Sequence, residues 1–170
     1  EEDEEIVEAD AHEQILEKSA KQMVNAVKSS DLIVTDGIES FLKEDRVGLK
    51  KAEEASKKFS KKSKKSRDKV YTTVTKFTEG ALDTSHFYVQ MMEHKREMAH
   101  AVHFMLEPMI KHIENNHKPF IEEQHVELRE VTKRIDEFVN QLLQIFKSFT
   151  FHILQHRFKE LINSFCYFPQ

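Results

Sequence analysis

The stretch SHFYVQMMEHKREMAHAVHFMLEPMIKHIENNHKPF, from Ser85 to Phe120, decides the class of fold because its apolar residues recur at helical spacing. One apolar stripe along it consists of Phe87, Met91, Met98, Val102, Met105, Met109 and Ile113. This spacing predicts a helix over 85–117, which would be roughly 45–50 Å long at about 1.5 Å per residue. Pro108 lies inside this helix and cannot donate a hydrogen bond to the Phe104 carbonyl, so we expect a kink there.

The chain after Pro119 has the most regular apolar pattern, and Pro119 is predicted to lie in the first turn of the next helix. Its stripe consists of Leu128, Val131, Ile135, Phe138, Leu142, Ile145 and Phe149, with alternating spacings of 3 and 4. The pattern slips by two near residues 148–150, which predicts a break. A phenylalanine-rich last helix then carries Phe151, Leu154, Phe158, Leu161, Phe165 and Phe168.

The first half of the chain also has helical periodicity. Leu16, Ala20, Met23 and Val27 form a first stripe. A second short helix capped by Ser30 or Asp31 could follow, or one continuous helix could run over 12–43. A junction at 43–45 then leads to a helix over 46–79, whose stripe is Ala52, Phe59, Ser66, Val70, Thr73 and Phe77. Gly80 would end that helix, and Asp83 or Thr84 would cap the next.

These patterns predict an all-α protein, an up-and-down bundle of four to five long antiparallel helices. Its 170 residues suit a single domain over 12–170, after an acidic and frayed segment over 1–11. Cys166 is the only cysteine, so no internal disulfide can form. No run of 18 apolar residues and no signal peptide is present. The chain begins at Glu1, so we expect a processed chain or a piece of a longer one.

Charge is distributed unevenly along the chain. Residues 1–17 contain nine acids and no Lys or Arg, whereas 57–69 contain eight Lys or Arg and one acid. Six of these lysines could form a surface that docks on a partner or a membrane: Lys57, Lys58, Lys61, Lys62, Lys64 and Lys65. They could form a solvated face paired with the acidic segment, or contact anionic lipid head groups. Nucleic acid is disfavoured as a partner, because no aromatic residues or known nucleic-acid motif accompany them.

Glutamate and histidine share one face of the predicted 85–117 helix. Glu93, Glu97, His100 and His103 form this polar stripe, and Glu-x-x-His motifs build di-metal carboxylate sites in helix bundles. One interpretation of this stripe is a site for a divalent transition metal, which would make the protein a metal-binding helical bundle. The alternative is a polar face that lies in solvent or between helices. His94 falls in the apolar register, where a hydrogen-bonded core histidine is the commoner outcome. No Gly-rich phosphate loop or nucleophile elbow is present, so we predict no enzyme.

Two parts of the chain together resemble a known family. The first is Ser85-His86-Phe87-Tyr88-Val89-Gln90, with the helix that ends His112-Ile113-Glu114-Asn115-Asn116-His117-Lys118-Pro119-Phe120. The second is Phe41-Leu42-Lys43-Glu44-Asp45-Arg46 through Leu49-Lys50-Lys51-Ala52, followed by the lysine-rich helix that leads to Val70-Tyr71. Over roughly 15–147 the chain resembles the PhoU-like cytoplasmic domain of some bacterial inorganic phosphate transporters of the PiT family.

The resemblance implies a PhoU-like regulatory domain on the cytoplasmic face of the bacterial inner membrane, which biases phosphate transport by docking on its own transmembrane permease domain. The polar stripe Glu93, Glu97, His100 and His103 would be a docking or ion-responsive surface, and the lysine run would lie near anionic lipid. The loop Asn115, Asn116 and His117 would cap a helix end. Within the family, acidic motifs can bind metal clusters. Only Glu79 to Asp83 has the spacing of those motifs here, so we do not expect this chain to bind such clusters. The phenylalanine-rich tail over 149–170 departs from the family and could mediate homo-oligomerisation.

Overall fold

The structure, a computed structural model, describes the backbone of residues 2–75 and 82–166 and the side chains of 14–75 and 85–148. It contains four long helices and one short one: α1 (Glu2–Leu42), α2 (Arg46–Asp68), α3 (Val70–Val74), α4 (Leu82–Glu114) and α5 (Glu122–Cys166). No strand occurs in these ranges. The predicted all-α helical bundle is therefore confirmed.

Helix α1 is continuous over 41 residues, which confirms the single-helix alternative and not the version divided at Ser30 or Asp31. It contains no proline, and the single glycine, Gly37, is a weak helix former but does not stop a helix. The backbone is helical from Glu2, and the division into an acidic segment over 1–11 and a domain over 12–170 stays a prediction.

A tight turn at 43–45 joins α1 to α2, as predicted. Glu44 N–H donates to the Phe41 carbonyl and Asp45 N–H to the Ser40 carbonyl, the hydrogen-bond pair of a Schellman motif. Glu44 occupies the left-handed position with φ of 52°. The Asp45 side chain then accepts hydrogen bonds from Val47 N–H and Gly48 N–H, which caps α2. One residue thus closes one helix and opens the next, which places α1 and α2 antiparallel.

The predicted helix over 46–79 is wrong in length, because α2 ends at Asp68 and the five-residue α3 follows after Lys69. The expected end at Gly80 and the stripe position Phe77 lie outside the described residues. The core face of α2 also differs from the predicted stripe and consists of Leu49, Ala52, Ser56, Phe59 and Ser63. Small residues on this face allow α2 to lie close to its neighbours.

Two further helix boundaries differ from the predictions. Helix α4 starts at Leu82, so Asp83 and Thr84 lie inside it and not at its N-cap position. Pro108 lies inside α4 as predicted. Helix α5 starts at Glu122, so Pro119 belongs to the preceding loop and not to a first turn. The break predicted near 148–150 is absent because α5 continues to Cys166, and a slip in apolar spacing does not interrupt backbone hydrogen bonds.

Helices α1, α2 and α4 form the closely packed centre, and α5 lies along α1. Met23 and Met91 share one apolar cluster, and Gly37 lies against Leu106, so α1 and α4 run in the same direction. A Cβ atom at Gly37 would lie 2.5 Å from Leu106 Cδ2. Glycine at this position therefore allows the two helices to approach each other closely.

Helix α4 buries a face that is rotated from the predicted stripe. Its buried residues are Tyr88, Met91, Met92, Lys95, Ala99, Val102, Leu106 and Ile113. Phe87 is exposed, and His94 is exposed instead of lying in the core. The predicted stripe counted methionines and omitted Ala99 and Leu106, both of which face the α1–α2 pair.

Candidate functional site

The six lysines considered for docking are all exposed on α2, outside the face that packs on α1 and α4, and Lys65 also lines a pocket beside α1. The Lys57 ammonium nitrogen is 2.6 Å from Glu53 Oε1. Arg67, near the end of the helix, is 3.5 Å from Asp68 Oδ1. Within the described side chains, no carboxylate pairs with the other five lysines. The alternative, pairing with the acidic segment 1–17, involves mainly side chains outside the described ones. Glu17, which is described, pairs with Lys21.

A buried lysine behind this face was missed by the sequence analysis. Lys95 on α4 is 7% exposed, and its Nζ donates a hydrogen bond to Ser66 Oγ at 2.7 Å. Ser66 Oγ in turn donates to the Lys62 carbonyl oxygen at 3.1 Å. Burial, and then the positive charge of Lys62, lower the pKa of Lys95. The signal was available, because Met91, Lys95, Ala99 and Val102 keep spacings of 4, 4 and 3.

The Glu/His stripe of α4 lies on the outside of the bundle. Glu97, His100 and His103 are exposed, and Glu93 is half-buried. Arg96 lies between the two carboxylates: its Nε is 2.9 Å from Glu93 Oε2 and its Nη2 is 2.7 Å from Glu97 Oε1. The two glutamates therefore share an arginine of their own helix and are held as a surface ion-pair network.

Metal ligation needs three or more donors that converge on one point. Among the described residues, no group of three or more His, Cys, Asp or Glu side chains has such an arrangement. The guanidinium of Arg96 further occupies the carboxylates that the stripe would offer to a cation. The donor set present at Glu93, Glu97, His100 and His103 does not fit a di-metal centre, and we derive no chemistry through a metal there.

The loop at 115–117 closes α4 through its backbone. Asn116 N–H donates to the Ile113 carbonyl and His117 N–H to the His112 carbonyl, which is again a Schellman motif. Asn116 has φ of 50°, a conformation that asparagine tolerates better than most residues. Arg46 Nη2 donates to Asn116 Oδ1 at 2.6 Å and so ties this loop to the start of α2. The backbone hydrogen bonds of Asn116 and His117 are those of a helix cap.

An aromatic group packs beside this cap and joins the two loops at the same end of the bundle. The His112 ring lies 5.3 Å from Phe41, 5.1 Å from His117 and 5.3 Å from Phe120, measured between centroids. The two contacts of His112 with phenylalanine are edge-to-face, a geometry that is favourable for aromatic pairs at these distances, whereas the two histidine rings are tilted by 36°. His112 thus packs on two phenylalanines and forms part of the structural closure of the bundle.

Helix α5 leaves part of its predicted stripe uncovered. Val139 and Thr132 are buried, whereas Phe138 is 63% exposed, and Val131 and Ile145 are also exposed. Its contact with α1 includes one polar pair, in which Thr35 Oγ1 donates to Asp136 Oδ1 at 3.4 Å. Burial and the nearby Asp136 carboxylate raise the pKa of Asp31 on α1. The phenylalanine side chains after residue 148, predicted to mediate self-association, lie outside the described side chains.

Comparison with protein-family models, with curated proteins and with solved structures gives no match to this chain. No helix in the described ranges combines the length and the apolar character that crossing a membrane requires.

Proposed function

We propose that this chain is a non-catalytic, PhoU-like regulatory domain of a bacterial inorganic phosphate transporter, which docks beside its permease and biases transport. The resemblance of 85–120 and 41–52 to that family supports the proposal. The structural observation that carries it is the outer face of α2, where lysines concentrate on one side of a packed bundle. Such a face suits the anionic cytoplasmic surface of a membrane, where each basic residue contributes on the order of 1 kcal/mol.

The packing explains why this face would act as a rigid docking surface. Helix α2 is anchored by Leu49 and Phe59, while the lysines project from the opposite side. Unpaired ammonium groups lose no intramolecular partner when they meet an anionic surface. Because Asp45 caps α2 and ties it to α1, a force on α2 would be transmitted directly to the helix pair.

The proposal is tested by phosphate uptake in the native host with a triple variant, Lys57→Gln/Lys61→Gln/Lys64→Gln. The matched control is Lys28→Gln/Lys50→Gln/Lys133→Gln, which removes three exposed lysines outside the docking set. We expect radiolabelled phosphate uptake to change in the first variant and not in the control, at equal protein levels. Uptake that stays at the wild-type rate even when the whole domain is deleted would refute the proposal.

A further inference from the structure

A second basic feature lies around the far end of α2, at a pocket between three parts of the bundle. The pocket has a volume of about 310 Å³. Its walls come from three parts of the bundle. Helix α1 contributes Ile15, Lys18, Ser19 and Gln22, and helix α4 contributes Tyr88. The segment from the end of α2 to α3 contributes Lys65, Ser66, Lys69 and Thr73. Its volume is at the lower end of the range of ligand sites, about 300–1,000 Å³, so it suits a small ligand.

The charged residues that line this pocket are all basic. Three lysines line the pocket together with four hydroxyl-bearing residues, and no carboxylate is among its described lining residues. Within the described part of the chain, Lys18, Lys65 and Lys69 have no acidic partner. Ammonium groups that line the same pocket repel one another. An anion between them would remove that repulsion and accept their hydrogen bonds.

A fourth positive charge lies one hydrogen bond behind the wall. The buried ammonium of Lys95 donates to Ser66 Oγ, and Ser66 lines the pocket. Burial and Lys62 disfavour the charged form of Lys95, which lowers its pKa. An anion on the other side of Ser66 would favour the charged form, so ligand binding and the protonation of Lys95 would be coupled.

We propose that this pocket binds a phosphate-type oxyanion, with Lys18, Lys65 and Lys69 as its cationic ligands and the Thr73 hydroxyl as a further hydrogen-bond donor. A tetrahedral anion with up to two charges matches several donors from different directions, whereas a single carboxylate would leave most of them unused. The anion could be free inorganic phosphate or the phosphate of a lipid head group. The inference goes beyond the docking proposal, since it rests on a pocket that shares only Lys65 with the six docking lysines.

The test is a nuclear magnetic resonance titration of the full ¹⁵N-labelled chain with inorganic phosphate, at constant ionic strength balanced with chloride. Constant ionic strength separates specific binding from general screening. We expect saturable shifts of the amides around Lys18, Ser66 and Thr73. The variant Lys18→Gln/Lys69→Gln should bind phosphate about tenfold more weakly, because it loses two charge-assisted hydrogen bonds.

The control is Lys28→Gln/Lys50→Gln, which removes one exposed lysine from α1 and one from α2 away from the pocket. It should change the affinity by less than about twofold, since exposed charges outside a site contribute little. Circular dichroism on both variants establishes that each remains folded. Equal weakening in the two variants would overturn the proposal. So would the absence of saturable shifts together with no vesicle binding that depends on Lys18 and Lys69.

A second arm distinguishes the two sources of the anion. The same proteins are sedimented with phosphatidylcholine vesicles that contain or lack phosphatidic acid. Vesicle binding that the pocket variant loses and the control keeps, without binding of free phosphate, identifies a lipid head group. Binding of free phosphate with the same selectivity identifies the soluble ion. Neither outcome depends on Lys57, Lys61 or Lys64, so the site and the docking proposal can fail separately.

Discussion

Helices α2 and α5 both pack on α1, but they use their apolar residues in opposite ways. Helix α2 has few large apolar residues, and its face buries Leu49 and Phe59 between smaller side chains such as Ser56. Helix α5 has the most regular apolar stripe in the chain, and yet Phe138 is largely exposed. The helix with the weaker pattern is thus the more deeply packed one.

The difference arises from the number of neighbours. Helix α2 lies against both α1 and α4, and its alanines and serines allow a close approach on two sides. The described part of α5 covers the bundle from one side only, so one flank of its stripe packs and the other stays in solvent. Periodicity therefore reports that a helix is amphipathic, whereas burial depends on what lies beside it.

The largest effect should come from truncating the centre of the three-helix contact. Leu106→Ala removes a side chain that is 1% exposed and should lower the free energy of unfolding by about 2–5 kcal/mol. Leu142→Ala, on the half-buried flank of α5, should cost less than half as much because the site is partly solvated. Chemical denaturation of both variants measures the two values. Equal losses would show that α5 is packed as tightly as the centre formed by α1, α2 and α4.

The close approach of α1 and α4 can be tested by adding one methyl group. Gly37→Ala places a Cβ against Leu106 Cδ2 and should destabilise the protein by about 1–3 kcal/mol, although alanine is the better helix former. The double variant Gly37→Ala/Leu106→Ala is the control, since it vacates the space. Its loss should be smaller than the sum of the two single losses. Strict additivity would mean that the helices are not in contact there.

Lys95 makes the α2–α4 contact sensitive to alkaline pH. Its pKa is lowered in the folded protein, chiefly by burial. Between that lowered pKa and the unfolded value of about 10.4, the unfolded chain binds more protons, so stability rises with pH. We expect the free energy of unfolding of the wild type, relative to Lys95→Met, to increase as pH rises from neutral towards 10. Parallel pH profiles would show that Lys95 titrates normally.

At the α1–α5 contact, Asp31 makes the free energy of unfolding depend on pH in the opposite direction. Burial and Asp136 raise its pKa in the folded protein. Between the unfolded value of about 4 and the raised value, the folded state binds more protons, so stability falls as pH rises through that window. Asp31→Asn should therefore be more stable than the wild type at pH 7, and the difference should vanish below about pH 4. Thermal unfolding at both pH values measures this, and a difference that persists in acid would point to packing instead.

The smallest effect should come from the exposed flank of α5. Phe138→Asp should change the free energy of unfolding by no more than about 0.5 kcal/mol, because the side chain is already in solvent. The adjacent Val139→Asp should unfold or strongly destabilise the chain, because it would bury a carboxylate. Denaturation curves of this neighbouring pair check the register of α5 directly. A large loss at Phe138 would place its side chain in an interface, within this chain or with another copy.

The helix ends were predicted correctly where turn-forming or capping residues mark them in the sequence. Lys43–Asp45 and Asn115–His117 were predicted as helix ends, and both are closed by Schellman hydrogen bonds. The errors lie where no helix-breaking residue marks the boundary. They concern the end of α2 at Asp68, the start of α4 at Leu82 and the absence of a break in α5. For the candidate site, the positions of the lysines were visible in the sequence. Lys95 was not recognised, because a lysine in a core register violates the expectation that charge stays in water.

The sequence by itself determined that this protein is a helical bundle with an asymmetric distribution of charge. Helical spacing, the capping residues and the lysine run are properties of neighbouring residues, and hydrogen bonding within each helix depends on little else. Only the tertiary structure decided which flank of each stripe is covered, which hydroxyl meets Lys95, and that Lys18 and Lys69 face one pocket. Those features join residues from different helices, and their free energies exist only once the helices have packed.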